Sequence, residues 1–439
     1  MKLSRIIPWF VLLALSASCV TQPPTTATTP RIDGQFNDWS DSALIATDPQ
    51  GDATGAFDIT RVSAMSRDST LYLRFDTGRV LNLQNGPEAE GTLQVHLGMT
   101  EGQSLTLDLR GRKAWGKQGK KFPISQLPFV SGPTYAANEF ELMLDLAEFG
   151  VAQGESLSIQ IGGSDTLNQP VDFVMSDAAV EPIRRSWHRH PDSDIRIVSF
   201  NTLHGGLFDP EREDAISRLL RAVDADVYCF QEERKKVGLA DRLSKLLPGD
   251  WLWNVQHIRG AVVATRHELK PLDAGKHAAA TIRLPGHPPI VVFSVHLKCC
   301  GFVGGEEDQK RIAETRELIA ALDRIRRDFP NVGIVIAGDY NLVGSRTPVD
   351  LLEEAGFRQW ILPHLIGESV VTWRGYEFPP GLLDVVTFTP GPLEAMTGFI
   401  LDTAELNQEE LERQEVQPQD SSFSDHLLLV TDFRSREVK

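Results

Sequence analysis

Six short apolar runs in the second half of this chain each carry polar residues at one end, and that pattern constrains the fold more than any other feature. "IRIVSF" runs into Asn201, "DVYCF" into Gln231 and Glu232, "IVVFSV" into His296, and "IVIAG" into Asp339, Tyr340 and Asn341. The order then reverses: Asp384 precedes "VVTF", and Asp425 and His426 precede "LLLVTDF". Runs this short and this continuously apolar read as strands covered on both faces. Such a strand has only its ends free for a polar side chain. If all these polar ends meet at one rim, the first four strands run toward it and the last two run away. That direction pattern fits a mixed or antiparallel pair of sheets with helices outside.

The helices are legible as well. "FDPEREDAISRLLRAVDAD" places Asp209 as an N-cap and Pro210 at the first helical position. Ile216, Leu219, Leu220 and Val223 then recur at helical spacing. "EEDQKRIAETRELIAALDRIRRDF" is a second helix, with Leu318, Leu322 and Ile325 on one face.

A shared rim would gather Asn201, Glu232, His296, Asp339, Asn341, Asp384, Asp425 and His426. Carboxylates crowded together raise one another's pKa, and a divalent cation resolves the conflict. Oxygen-rich ligands with few nitrogens favour Mg²⁺ or Mn²⁺ over Zn²⁺. Each motif alone has a plainer reading. Asp-x-Asn after a strand is usually a turn, "QEE" can start a solvated helix, and "SDH" can cap a strand. The specificity lies in their order and their common placement at strand ends.

"SFNTLHGG", "FQEE", "SVHLK", "AGDYNL", "LLDVV" and "FSDHLLL" together resemble the successive motifs of the endonuclease/exonuclease/phosphatase superfamily over residues 194–435. The resemblance implies an α/β four-layer sandwich, two packed β-sheets flanked by helices, and a metal-dependent phosphoric ester hydrolase. Glu232 matches the principal Mg²⁺ ligand, and Asn201 the amide beside it. Asp339 matches the acid that orients or deprotonates the attacking water. Asn341 matches the amide that holds the phosphate or the water. Asp384 matches the acid paired with the final histidine, and His426 that histidine, which contacts the scissile phosphate. Asp425 matches the acid before it, linked to the metal site. His296 matches a histidine of the deoxyribonuclease, phosphatase and sphingomyelinase branches; apurinic endonucleases carry Tyr in that region. His204 is an addition to the pattern and stays outside the catalytic set.

The first half reads differently. Residues 1–19 have the form of a bacterial lipoprotein signal, with Cys19 as the lipidated residue. The alternative is an ordinary cleaved signal. Residues 20–30, rich in Pro and Thr, read as a tether. Val20 after the cysteine fits outer-membrane sorting. From 31 to 175 the pattern is all-β: "TLYLRF", with Leu71, Leu73 and Phe75 on one face, "LTLDLRG" and "FELMLDL" alternate between turn clusters. That is a β-sandwich, and its opening "RIDGQFNDWSD" resembles family 9 carbohydrate-binding modules. Asp48, Asp52 and Asp58 suit a structural Ca²⁺, or simply form turns. Trp39 reads as core rather than as a sugar platform. Residues 176–193 read as a linker.

The formal net charge is -16, and no Lys/Arg-rich stripe interrupts it. No stable nucleic-acid complex is expected on that balance. The partners expected are a phosphate-ester substrate, a membrane through the lipid anchor, and a glycan at the sandwich. A secreted deoxyribonuclease-like enzyme and a catalytically inactive binding lipoprotein are the other readings. Cys229, Cys299 and Cys300 read as buried small residues, a Cys229–Cys299 bridge being the alternative.

Overall fold

The computed structural model describes residues 29–84, 86, 91–167, 169–176 and 182–436. The signal, Cys19 and residues 20–28 of the tether lie outside the described residues. Among those described, no helix is long and apolar enough to cross a membrane.

Two antiparallel sheets build the first half. One orders its strands Leu44–Thr47, Arg61–Arg67, Thr70–Leu81, Ala137–Asp145 and Phe129–Gly132. The other orders Val171–Val174, Ser156–Gly163, Leu93–Gly98, Ser104–Asp108, Lys113–Gly116 and Lys121–Pro123. Alternation drives them together, because every second side chain faces the partner sheet. Leu71, Leu73 and Phe75 join Val95, Leu107, Phe140 and Ile159 in that shared core. Trp39 is buried, and its indole N–H donates to Glu141 Oε2 at 2.9 Å, as a core residue would.

Two mixed sheets build the second half. The first runs Asn254–Ile258, Ala261–Thr265, Val227–Gln231, Ile195–Asn201, Leu428–Ser435, Leu393–Leu401. The second runs Glu268–Pro271, Ala278–Arg283, Ile290–His296, Gly333–Asp339, Asp384–Phe388, Arg358–Trp360. Their facing sides form one core around Ile197, Val263, Val292, Val335 and Phe433. Helices Glu213–Val223 and Leu239–Leu246 cover the outer face of the first sheet. Helices Glu306–Asp328 and Thr347–Glu354 cover the second. Four layers result, and the central strands are apolar throughout because both faces are covered.

The strand directions are those expected. Ile195–Asn201 and Val227–Gln231 pair in parallel, and Leu428–Ser435 runs against them. Ile290–His296 and Gly333–Asp339 pair in parallel, and Asp384–Phe388 runs against them. One helix start differs. The helix begins at Glu213 with Arg212 at the cap, because Asp209 closes a turn instead, its Oδ1 accepting the Glu211 amide at 2.9 Å.

The two halves are stitched beside the polar strand ends of the second half. Asn82, buried, donates from Nδ2 to the carbonyls of Val343 at 2.9 Å and Gly344 at 3.2 Å. Its Oδ1 accepts the Val303 amide at 2.7 Å. Thr134 Oγ1 donates to Leu342 O at 2.7 Å, and the Ala136 amide donates to Gly344 O at 2.7 Å. The segment read as a linker enters the second half: Trp187 is buried in its core, and its indole N–H donates to Ala222 O at 2.7 Å.

Candidate active site

Gly338, the last residue of "IVIAG", is there for space. A Cβ on it would lie 2.0 Å from the carbonyl oxygen of Val295 on the neighbouring strand, and its φ is +153°. The close approach sets His296 directly opposite Asp339, and Asp339 directly opposite Asp384. Three polar strand ends therefore lie in a row. The first sheet supplies Asn201, opposite Gln231, and Leu428–Ser435 starts just after His426.

Beyond the strand ends the chain turns sharply. Leu203, His204, Glu232 and Asn341 all have positive φ, from +50° to +64°. Asn adopts this conformation readily, but for Leu and Glu it costs of order 1–2 kcal/mol each. Surrounding bonds hold them. The Asn341 amide donates to Asp339 Oδ1 at 2.9 Å, and Asn341 Nδ2 donates to Leu297 O at 3.2 Å. The His204 amide donates to Glu232 Oε2 at 2.8 Å.

A line of charge crosses the site. His426 Nδ1 lies 2.7 Å from Asp384 Oδ2, and its Nε2 lies 3.7 Å from Asp339 Oδ2. His296 Nε2 approaches the same Asp339 oxygen at 3.5 Å. Asn201 Nδ2 bridges Asp339 Oδ2 at 3.2 Å and Glu232 Oε1 at 3.3 Å. Thr372 Oγ1 accepts the amides of Leu383 and Asp384, both at 2.9 Å, and so fixes the start of that strand. Asp425 sits beside this line, its Oδ2 accepting the Trp373 indole N–H at 3.1 Å. Arg374 pairs with Asp402.

Burial sets the electrostatics. It pushes the Asp339 carboxyl up to about 6, with the opposing pull of His426 and His296 and the added push of Asp384. Burial pulls the His426 imidazolium down, but Asp384 and Asp339 outweigh it and hold its proton to about 10. Burial pushes Glu232 up. The His204 amide, the Asn201 side chain and the neighbouring histidines outweigh that, so its carboxyl lies below the usual range. The site thus holds an imidazolium locked between two acids, and a third carboxylate that stays ionised.

Asp339, Asp384 and His426 can each bring one ligand atom within 4.8 Å of the others. His426 and Asp384 already satisfy one another, however, which makes them the poorer ligands of that group. Glu232, Asp339 and Asp425 are hard oxygen donors, a set that fits Mg²⁺ or Mn²⁺, while Asn201 turns its side-chain nitrogen to Glu232 and Asp339 and its oxygen to the Leu203 amide. Asp425 Oδ1 is buried with no hydrogen-bond partner, as a donor awaiting a cation would be.

Asn201, Glu232, His296, Asp339, Asn341, Asp384, Asp425 and His426 all lie at this rim. Two neighbours were not placed in it. His204 Nδ1 lies 2.8 Å from Glu232 Oε2, a contact that its proximity to "NTL" could have suggested. Thr372 carries no sequence signal, since a threonine in a loop is unremarkable. Glu233, next to Glu232, turns the other way: buried, it accepts the Thr202 hydroxyl and the Leu207 amide. In the sandwich, Asp48 and Asp52 meet Asp165 rather than Asp58. Asp58 is spent on a turn, both its oxygens accepting the Gly51 amide. The cysteines differ from expectation too. Cys229 is buried in the core between the sheets, whereas Cys299 is half-buried and Cys300 exposed.

Two sheets with their polar strand ends joined, covered by helices, and an Asp–His–Asp line beside hard oxygen donors define a hydrolase of phosphate esters. The sequence profile of the Endonuclease/Exonuclease/phosphatase family matches residues 198–426, and the chain belongs to that family. No curated relative matches the chain. Among solved structures, the human Nocturnin catalytic domain with bound sulfate is similar at 17% identity, covering 57% of this chain and 97% of that one, with a TM-score of 0.39. D. rerio TDP2 complexed with single-strand DNA product is similar at 15% identity, covering 55% and 99%, with a TM-score of 0.40. An endonuclease/exonuclease/phosphatase from Beutenbergia cavernae is similar at 20% identity, covering 55% and 72%, with a TM-score of 0.37.

Proposed function

We propose that the chain is a divalent-metal-dependent phosphoesterase that hydrolyses a phosphodiester or phosphomonoester by direct attack of an activated water. The observation that carries this reading is the line Asp384–His426–Asp339, with 2.7 Å and 3.7 Å between the facing atoms. An imidazolium fixed by a buried carboxylate is a pre-aligned donor for a phosphoryl oxygen. Asp339, buried beside that imidazolium, takes the proton of the attacking water. Asn341 and His296 flank Asp339 and orient the phosphate. Glu232 and Asp425, with Asn201 beside them, would hold the cation. Bound there, Mg²⁺ or Mn²⁺ supplies positive charge to the phosphate and leaving oxygens. Water attacks phosphorus, the P–O ester bond breaks, and no covalent enzyme intermediate forms.

The net charge of -16 and the engagement of Arg374 by Asp402 favour a small or lipid-borne phosphate ester over a long nucleic acid. The signal-like N-terminus supports display at the bacterial envelope through a lipid on Cys19, with the outer membrane as the destination. The likeness of the sandwich opening to carbohydrate-binding modules supports glycan docking there, with Ca²⁺ as a structural ion. Fractionation with and without Cys19→Ala tests the anchor: recovery of both proteins from the soluble fraction would remove it from this reading.

A hydrolysis panel tests the chemistry. The chain lacking residues 1–29 would meet bis-p-nitrophenyl phosphate, p-nitrophenyl phosphate, plasmid DNA, RNA and sphingomyelin with Mg²⁺, Mn²⁺, Ca²⁺ or EDTA. Turnover that EDTA abolishes and His426→Ala loses is the expected result. Turnover that survives either treatment would overturn the reading, and silence on every substrate would favour the binding lipoprotein.

A further inference from the structure

Outside the active site, the arrangement with most unexplained chemistry is the strap between His296 and the helix Glu306–Asp328. It carries two adjacent cysteines, Cys299 and Cys300, whose sulfurs lie 2.8 Å apart, well inside a non-bonded sulfur–sulfur contact. Their closeness is built in by the backbone. Cys300 has φ +71°, a left-handed conformation that a cysteine adopts only when held there. Arg311, fully buried, supplies the hold: its Nε donates to Lys298 O at 2.9 Å and its Nη2 to Cys300 O at 2.6 Å. The Lys298 amide is pinned in turn on Glu314 Oε2 at 2.8 Å. With the Lys298 and Cys300 carbonyls fixed, the backbone across the pair is held in the turn that sets the two sulfurs side by side. Cys229 does not compete as a partner, because it is buried between the sheets with its sulfur on Phe293 O.

We infer that Cys299 and Cys300 are a redox modification site that closes into a vicinal disulfide beside the active site. The oxidant is a low-molecular-weight disulfide, R–S–S–R. The Cys299 thiolate, with the Lys298 ammonium 3.6 Å from its sulfur, attacks one sulfur of R–S–S–R and expels one thiolate. Cys300 then gives up its proton and attacks the Cys299 sulfur, expelling the second. Two electrons and two protons pass from the dithiol to the small disulfide, which leaves as two R–SH. The ring closes three residues from His296, on a strap whose Leu297 carbonyl takes the Asn341 side chain and whose Leu297 amide donates to Asp339 O at 2.9 Å.

The test treats the full chain with oxidised glutathione, alkylates it with iodoacetamide, and digests it with trypsin. Cleavage after Lys298 and Lys310 puts both cysteines on one peptide, 299–310. The expected product is that peptide about 2 Da lighter than the dithiol, unalkylated, and restored to double alkylation by dithiothreitol. In Cys300→Ser the second step is lost, and glutathione remains attached to Cys299. Double alkylation without prior reduction, a glutathione on each cysteine, or a crosslink to Cys229 would overturn the assignment. Adducts confined to Cys300 in the reciprocal Cys299→Ser variant, with none on Cys299 in Cys300→Ser, would overturn the order of attack.

Discussion

Both halves of this chain bury a carboxylate completely, and they do so in opposite ways. In the sandwich, Glu141 stands among neutral donors: the Trp39 indole at 2.9 Å and the Gly34 amide at 2.7 Å take one oxygen each. Burial pushes it up to about 8, with Asp33 and Asp38 the nearest like charges. In the catalytic half, Asp339 stands among ionised partners, with His426 and His296 facing one of its oxygens and Asp384 paired across the strands. A buried acid with neutral donors is a fixed part of a core. A buried acid at a junction of charged strand ends can exchange a proton and gain a new ligand. The difference between them, more than burial itself, marks the site.

Substitution should separate the two acids most sharply. Asp339→Ala is expected to lower kcat/KM by about 10⁴-fold, since it removes the water's base. Far-ultraviolet circular dichroism should stay unchanged. Glu141→Gln should leave turnover within about twofold, as a remote core change does. A Glu141 variant that lost turnover while staying folded would break the distinction.

Asp384→Asn refines the catalytic side of the comparison. Two carboxylates hold the His426 proton to about 10 against the effect of burial. On the alkaline side, wild-type kcat/KM should therefore hold until pH rises through about 10, where the imidazolium is lost. With Asp384 neutral, burial gains weight and the alkaline limb moves to lower pH. At pH 7 the rate should drop about 10²-fold or more, because the pair also orients the ring. An unmoved alkaline limb would show that a group other than His426 titrates there.

How much of this could be read from the sequence follows the same division. Strand ends were legible because an apolar run has a length, a direction and a polar terminus, and those fix where Glu232, Asp339 and His426 go. Gly338 was visible as a stop, but its reason, the Val295 carbonyl, comes from a neighbouring strand. His204, Thr372 and Asp165 gained their places through partners distant in sequence, which no local pattern encodes. The pairing of Cys299 with Cys300 needed the left-handed turn and Arg311, both products of tertiary packing. Asn82 had no signal at all: a polar residue between turn clusters reads as solvent-exposed, and it is one of the most buried polar groups in the sandwich.

Asn82 tests whether the halves are independent. Its side chain joins the loop after Asn341 to the strap after His296. Asn82→Ala leaves the Val343 and Gly344 carbonyls and the Val303 amide without these partners, a loss of about 1–3 kcal/mol in urea unfolding. Turnover should fall by about tenfold as the two loops loosen, an effect of misplacement rather than of lost chemistry. An unchanged rate with reduced stability would make the sandwich a passive neighbour of the site.

The smallest effect on turnover concerns the solitary acid. Glu141 binds its proton more tightly when folded than when unfolded, its value rising from 4.5 to about 8. Between those values the folded state holds more protons than the unfolded one, so rising pH weakens the fold. For one proton the slope is at most about 1.4 kcal/mol per pH unit. Glu141→Gln removes the titration. The variant's offset depends on how an amide meets two donors, so the slope is the readout. Urea unfolding from pH 5 to 8 should show wild type losing stability relative to the variant, with no parallel change in turnover. Equal slopes would mean that the Trp39 and Gly34 donors already hold Glu141 ionised, and the two buried acids would then differ in their neighbours alone.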